Sequence, residues 1–242
     1  MQKPVIAVFG GLGYVGSNVI KHLSRHHPEV KVIVISRNAA GPAGTTEFVR
    51  GDISDKHGSW VAVLKERGVT ACISCVGAFG SNAFMLKVNG EANCTAAQVS
   101  KEQGVGRFVY VSTVENNLPG FVLRGYFEGK RLAEQKVLEL FPGDAGIVLR
   151  PSFVYGTRRV TSSLSLPLGI IGRPMAAVLS TPPFSSLQHV LPGMKAVLAP
   201  PVSVEQVASV AVSAALGILS EVPTSSILNV DLIAKLGNTN KI

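Results

Sequence analysis

The stretch Val5-Ile6-Ala7-Val8-Phe9-Gly10-Gly11-Leu12-Gly13-Tyr14-Val15-Gly16 decides how this chain is read. Val5 to Phe9 is an unbroken apolar run rich in β-branched residues, as in a strand buried on both faces. Glycines at 10, 13 and 16 follow at once, and Val15, Val19 and Leu23 then recur at helical spacing before Pro28. Strand, glycine turn and helix together form the context in which such a triplet cradles a dinucleotide. Gly10 permits the tight turn, Gly13 lets the backbone approach a pyrophosphate, and Gly16 lets the helix pack on the strand. The helix start at Tyr14, Val15 and Gly16 offers N–H groups and a positive dipole end to the phosphates.

The rest of the chain is compatible with one large domain, or one domain with a small appended lobe. It has 242 residues, 46% hydrophobic and 16% charged, which excludes a disordered chain and suffices for a real core. The uncharged run near Gln206–Ser220 is too short and too rich in Ala and Ser to span a bilayer and reads as a buried helix. The formal charge is +8. The basic residues are scattered, with only Lys130-Arg131 and Arg158-Arg159 adjacent and no basic stripe interleaved with aromatics, so nucleic acid is not an expected partner. The charge suits a polyanionic cofactor and an organelle matrix. The first strand starts almost at Met1, so no secretory signal is expected. Three cysteines make no disulfide framework. Cys72 and Cys75 have CxxC spacing, but on a strand they point to opposite faces, and no metal site is expected.

A second strand, Val30–Ile35, ends in Ser36-Arg37. An NAD enzyme would carry an acid for the ribose hydroxyls here; a guanidinium stands there instead and can grip a 2′-phosphate bidentately. NADP(H) is therefore the preferred cofactor, with NAD(H) possible. A third strand, Glu47–Ile53, ends in Asp52, either a partner for the adenine amino group or the cap of the next helix. The helix Trp60–Arg67 leads to the strand Val69–Val76. Small residues follow at Val76-Gly77-Ala78, where the backbone can pass close to a cofactor ribose. Ser81–Gln103 reads as one long helical stretch whose buried face carries Asn89, a polar residue that must find partners. The strand Phe108–Thr113 ends in Ser112 and Thr113, and sheets of this class place chemistry at strand carboxyl ends. The next helix sets Tyr126 and Lys130 on one face. A cation there can depress a phenol pKa and help the phenol move a proton.

Taken together these marks resemble the short-chain dehydrogenase/reductase superfamily, in its extended or atypical, epimerase-like branch. They are the glycine triplet, Asp52, the Gly77 turn, Asn89, Ser112/Thr113, the Tyr126/Lys130 pair, and Leu149-Arg150-Pro151-Ser152-Phe153-Val154-Tyr155-Gly156. They cover almost the whole chain. The last segment resembles the strand closing the nicotinamide pocket of nucleotide-sugar epimerases, which gives Pro151 and Phe153 to the cofactor. Gly77–Asn82 with Asn89–Asn93 is most similar to an organellar group. It includes plastid reductase-like proteins, a protein associated with mitochondrial ubiquinone synthesis, and the nucleotide-binding accessory subunit of respiratory complex I.

The resemblance implies roles. Tyr126 would be the acid/base, and Lys130 would bind ribose and tune it. Ser112 or Thr113, but not both, would polarise the substrate oxygen, and Asn89 would support a proton relay. The phosphate and ribose side would be Gly10, Gly13, Tyr14, Val15, Gly16, Ser36, Arg37, Asp52, Ile53, Val76, Gly77 and Ala78. The expected architecture is a Rossmann doubly wound parallel sheet over 1–156 with a reduced C-terminal substrate or docking lobe over 157–242. Thr157–Pro201 is apolar with a basic rim and contains a lone histidine, His189. That segment fits a quinone, a lipid or an acidic headgroup better than a sugar nucleotide. Ser203–Gln206 resembles a capping box before the helix Val207–Leu219. His22, His26 and His27, at the end of the first helix, are expected in solvent. Two functions remain open: an NADP-linked oxidoreductase on an apolar carbonyl or quinone-like substrate, and a non-catalytic nucleotide-binding subunit of a membrane-associated organellar complex. The expected compartment is the mitochondrial matrix side, with plastid or cytoplasm as alternatives.

Overall fold

The computed structural model describes residues 3–38, 46–114, 123–159, 165–167, 200–219 and 226–239. His189 and nearly all of the apolar segment 157–201 lie outside them. Strand β1 (Val5–Phe9) leads through the glycine turn into α1 (Tyr14–His26), then β2 (Lys31–Ser36), β3 (Thr46–Arg50), α2 (Trp60–Glu66) and β4 (Ala71–Ser74). Next come α3 (Asn82–Leu86), a π-helical turn (Lys87–Glu91), α4 (Ala92–Glu102), β5 (Arg107–Val111), α5 (Arg124–Leu140) and β6 (Gly146–Leu149). The chain then adds β7 (Val154–Tyr155), β8 (Thr157–Arg159), β9 (Ser165–Pro167), β10 (Val202–Ser203), α6 (Val204–Leu216), β11 (Ile227–Leu228) and α7 (Val230–Thr239).

Seven strands form one sheet in the order β11-β6-β5-β4-β1-β2-β3, every pairing parallel. This is the doubly wound Rossmann arrangement. Parallel strands must be covered on both faces, and alternation along each strand decides what covers them. Ile6, Val8, Val32, Val34, Ile73, Val109 and Ile147 face α1, α6 and α7. Phe9, Ile33, Ile35, Cys72, Phe108, Tyr110 and Val148 face α2, α4 and α5, where Trp60 packs edge-on against Phe9 at 5.6 Å. Cys72 and Cys75 fall on opposite faces, and burial pushes both thiols up to about 12.

The last part of the chain completes this sheet. Segment 202–239, assigned from sequence to the appended lobe, adds the edge strand β11 and lays α6 across the first face. Ten of the thirteen residues of α6 are buried, so it is apolar nearly all round. Its start carries the capping box read from sequence: Ser203 Oγ accepts from Gln206 N at 3.1 Å, and Gln206 Oε1 accepts from Ser203 N at 2.9 Å. Three local readings change, and one gains a detail. Strand β3 stops at Arg50, and Asp52–Asp55 form a turn closed by Asp55 N on Asp52 O at 3.0 Å. The long helical stretch after β4 is continuous over 82–102, with the π turn inside it. Strand β5 ends at Val111, so Ser112 and Thr113 lie just past it. His22 is half-buried, its ring tilted against that of His26 with centres 4.5 Å apart. No helix of the described residues is long and apolar enough to cross a membrane.

Candidate functional site

The glycine turn closes as a tight hairpin of backbone. Gly10 has φ +72°, a left-handed conformation that side chains disfavour, and its carbonyl accepts from Gly13 N at 2.9 Å. A Cβ on Gly16 would collide with the Gly10 carbonyl oxygen and lie 2.7 Å from Gly11 Cα, so α1 can approach β1 only through a glycine. Gly13 is the N-cap of α1; no side chain caps that end and no acid occupies the first turn. The N–H groups there are left for an external anion.

Beside this turn opens a cleft of about 400 Å³ at the carboxyl ends of β1, β2 and β4. It gathers Gly10, Gly13, Ser36, Arg37, Asp52, Ile53, Val76, Gly77 and Ala78, most of the cofactor residues read from sequence. Arg37 is exposed at its edge. Asp52 does not cap α2, whose N-cap position is Ser59. Its Oδ1 accepts from Ser54 N at 3.0 Å and Ser54 Oγ at 2.8 Å. Those bonds, with the charges of Arg37 and Lys87, hold its carboxyl below the usual range. Lys87, on the π turn, is a cleft residue that sequence reading missed; nothing in its neighbours singled it out. Phe84 and Cys75 are also in the lining.

The π turn explains how the deeper site is held, and such turns recur at functional sites. It carries Asn89, whose side chain is fully committed. Its Nδ2 donates to Met85 O at 2.8 Å and Ala78 O at 2.9 Å, and its Oδ1 accepts from Ala78 N at 3.1 Å. The side chain thus clamps the Gly77-Ala78 loop, and only its backbone carbonyl, accepting from Tyr110 Oη at 2.9 Å, points elsewhere. Helix α5 reaches this turn because two glycines meet: a Cβ on Gly90 would sit 2.9 Å from Gly129 Cα. That approach delivers Lys130, buried, with Nζ 2.8 Å from Val111 O and 4.7 Å from the centre of the Tyr110 ring. Burial lowers its pKa to about 8.

One turn earlier on α5, the Tyr126 hydroxyl is hydrogen-bonded to Thr113. Ser112 Oγ is instead enclosed and has no partner among the described residues. Thr113 is therefore the hydroxyl residue facing Tyr126. The expected depression of the phenol pKa is absent: burial raises it, the Thr113 bond opposes only part of this, and Lys130 Nζ lies 5.9 Å from the ring centre. Phe79 lies parallel on Tyr126, centres 4.9 Å apart and planes at 12°, and is 69% exposed. Phe127 meets the same ring edge-on at 5.2 Å.

The remaining expected residues surround this core without lining the cleft. Tyr14 places its hydroxyl beside Gly156, and Val15 packs into the first face. Pro151 is buried and accepts from Val114 N at 2.9 Å, whereas Phe153 is 48% exposed. A further ion pair escaped sequence reading. Arg150 forks onto Glu134 with Nε at 3.1 Å and Nη2 at 2.5 Å, tying α5 to the end of β6. Among the described residues no cluster of His, Cys, Asp or Glu has the arrangement of a metal site.

The uncapped, glycine-lined end of α1 and the adjoining cleft fit a nicotinamide dinucleotide. Known proteins agree. Residues 6–168 match the NAD dependent epimerase/dehydratase family. A chloroplastic protein of Arabidopsis thaliana is 36% identical over 216 residues, covering 86% of this chain and 70% of its own. Mouse NADH dehydrogenase [ubiquinone] 1 alpha subcomplex subunit 9, a mitochondrial protein, is 28% identical over 161 residues, covering 63% of this chain and 41% of that subunit. Among solved structures, the UDP-Glc/GlcNAc 4-epimerase of Campylobacter jejuni superposes with a TM-score of 0.63 over 94% of this chain and 78% of its own, at 14% identity, which speaks for the fold. The chain belongs to the NAD-dependent epimerase/dehydratase family.

Proposed function

We propose that this chain is an NADP(H)-linked oxidoreductase acting on an apolar carbonyl or quinone-like substrate. The observation that carries the reading is the Tyr126 hydroxyl, hydrogen-bonded to Thr113, on the same helix as the buried ammonium of Lys130 and covered by the exposed ring of Phe79. A raised phenol pKa keeps Tyr126 protonated near neutrality, as a proton donor to a carbonyl oxygen requires. Thr113 orients that hydroxyl. Lys130 and the Asn89-clamped loop define the ribose side, and Arg37 with Lys87 offers cations to a 2′-phosphate. When bound, the dinucleotide supplies the hydride. Phe79 gives a planar substrate a ring to lie on and shields the proton transfer from water.

NADPH oxidation with short-chain quinones and aromatic carbonyls tests this. Tyr126→Phe should cut turnover by about 10²- to 10⁴-fold and leave NADPH affinity nearly intact. An unchanged rate rejects the acid/base role.

The similarity to a respiratory-complex subunit favours a second reading, a nucleotide-holding accessory subunit in a mitochondrion or plastid. Under that reading Tyr126→Phe alters neither assembly nor stability, whereas Gly13→Val, which fills the pyrophosphate approach, impairs both.

A further inference from the structure

A second cleft, of about 330 Å³, opens between α1, α6 and α7 and shares no residue with the dinucleotide cleft. Its lining is polar in a directed way. Helices α1 and α6 lie on the same face of the sheet; both start beside Gly156, and α6 ends at Gly217 against Arg107 at the start of β5, so the two run the same way. Glu205 and Asn18 therefore mark one end of the cleft, and Lys21 and Arg25 stand further along, one helical turn apart. Neither of those cations has an ion-pair partner among the described residues, although both face the same space.

Between Glu205 and the cations, one turn along α6 from Glu205, lies Ser209, 3% exposed, whose Oγ has no hydrogen-bond partner among the described residues. A serine inside a helix ordinarily returns its hydroxyl to the carbonyl four residues back, as Ser100 does to Ala96 at 2.7 Å. An enclosed hydroxyl left unmet is costly, so a ligand that meets it gains affinity. Asn18 spends its amide nitrogen on Tyr14 O at 2.8 Å, which leaves its oxygen as an acceptor.

We propose that this cleft binds a small phosphate monoester that also carries a hydroxyl or amino group. Lys21, Arg25 and Ser209 donate to the phosphate, and Glu205 with Asn18 accepts from the other end. Paired cations and a hydroxyl match phosphate oxygens. The carboxylate fixes polarity, because it rejects a ligand with a second anionic end and rewards one with a donor there. The site is independent of the proposed oxidoreductase reading. His22 reports on it. Burial first, then His26 and His27, holds its pKa down to about 4. The other charged groups facing it are Lys21 and Arg25 from α1 and Glu205 from α6, while α7 contributes Gly237.

The test uses protein saturated with NADPH, so that the dinucleotide cleft is filled, and titrates glycerol 3-phosphate and inorganic phosphate by calorimetry while following the His22 imidazole by NMR. Saturable binding of glycerol 3-phosphate is expected, with His22 titrating upward. Lys21→Ala and Arg25→Ala should each weaken it about tenfold or more, with unchanged melting temperature and NADPH affinity. Inorganic phosphate should bind more weakly, and Glu205→Gln should narrow the gap between the two ligands. Phosphatidylcholine vesicles with and without phosphatidic acid identify the source. Retention that requires phosphatidic acid and Lys21 assigns the monoester to a lipid headgroup, and glycerol 3-phosphate binding without retention assigns it to a soluble metabolite. No saturable binding, or binding indifferent to both Lys21→Ala and Arg25→Ala, overturns the proposal.

Discussion

Lys130 Nζ donates to the Val111 carbonyl at 2.8 Å, which fastens helix α5 to the end of strand β5 at the point where Tyr126 and Thr113 meet. The same buried ammonium is a titratable load on the fold. Its pKa is lowered to about 8, whereas a lysine in an unfolded chain titrates near ~10.4. Between those values the unfolded chain binds a proton that the folded one has released. This group therefore makes stability rise with pH from about 8 to about 10.4, and the penalty of the buried charge is fully present below 8. Lys130→Met should remove that contribution, read as the difference between the two proteins' pH–melting curves. Parallel curves would contradict it.

Arg37 decides the nucleotide under the proposed reading. Wild-type protein should prefer NADPH to NADH. Arg37→Ala should weaken NADPH by about tenfold to a hundredfold and change NADH little, since a charge-assisted contact contributes about 1.5–3 kcal/mol. Lys87→Ala should weaken NADPH in the same direction. Equal affinity of the wild type for both nucleotides would sink the assignment.

Phe79 should separate binding from chemistry. Its ring is exposed and parallel to Tyr126, so Phe79→Leu should raise KM for a planar quinone about two- to tenfold while kcat changes little. A matched fall in kcat with unchanged KM would show that the ring positions Tyr126 instead of the substrate.

The Glu134–Arg150 fork is the buried charge pair whose halves cannot be removed singly at low cost. Arg150→Met leaves a carboxylate in a side chain only 5% exposed and should destabilise the fold by about 3 kcal/mol in urea unfolding. Glu134→Leu combined with Arg150→Met should recover most of that loss. A double variant as unstable as the sum of the two singles would show no coupling between the two side chains and would reject this account.

Much of this protein is settled by local order along the chain. The run Val5–Phe9, the triplet Gly10, Gly13 and Gly16, the apolar strands and the Ser203–Gln206 box specify their own structure, because periodicity, glycine geometry and capping act over a few residues. The family and the cleft residues Gly10, Gly13, Ser36, Arg37, Asp52, Ile53, Val76, Gly77 and Ala78 were legible for the same reason. What needed the tertiary structure depends on contacts between distant segments. Residues 202–239 joined the main sheet because β6 offered an unpaired edge and its face needed α6. Thr113 rather than Ser112 met Tyr126 because β5 ended at Val111, after which strand alternation no longer fixed direction. The π turn, the commitment of the Asn89 amide, Lys87 in the cleft, the half-buried His22 and the Glu134–Arg150 pair were likewise invisible in sequence. Each arises where a helix is pressed against another part of the chain, and the chain-local pattern carries no record of which residues will meet there.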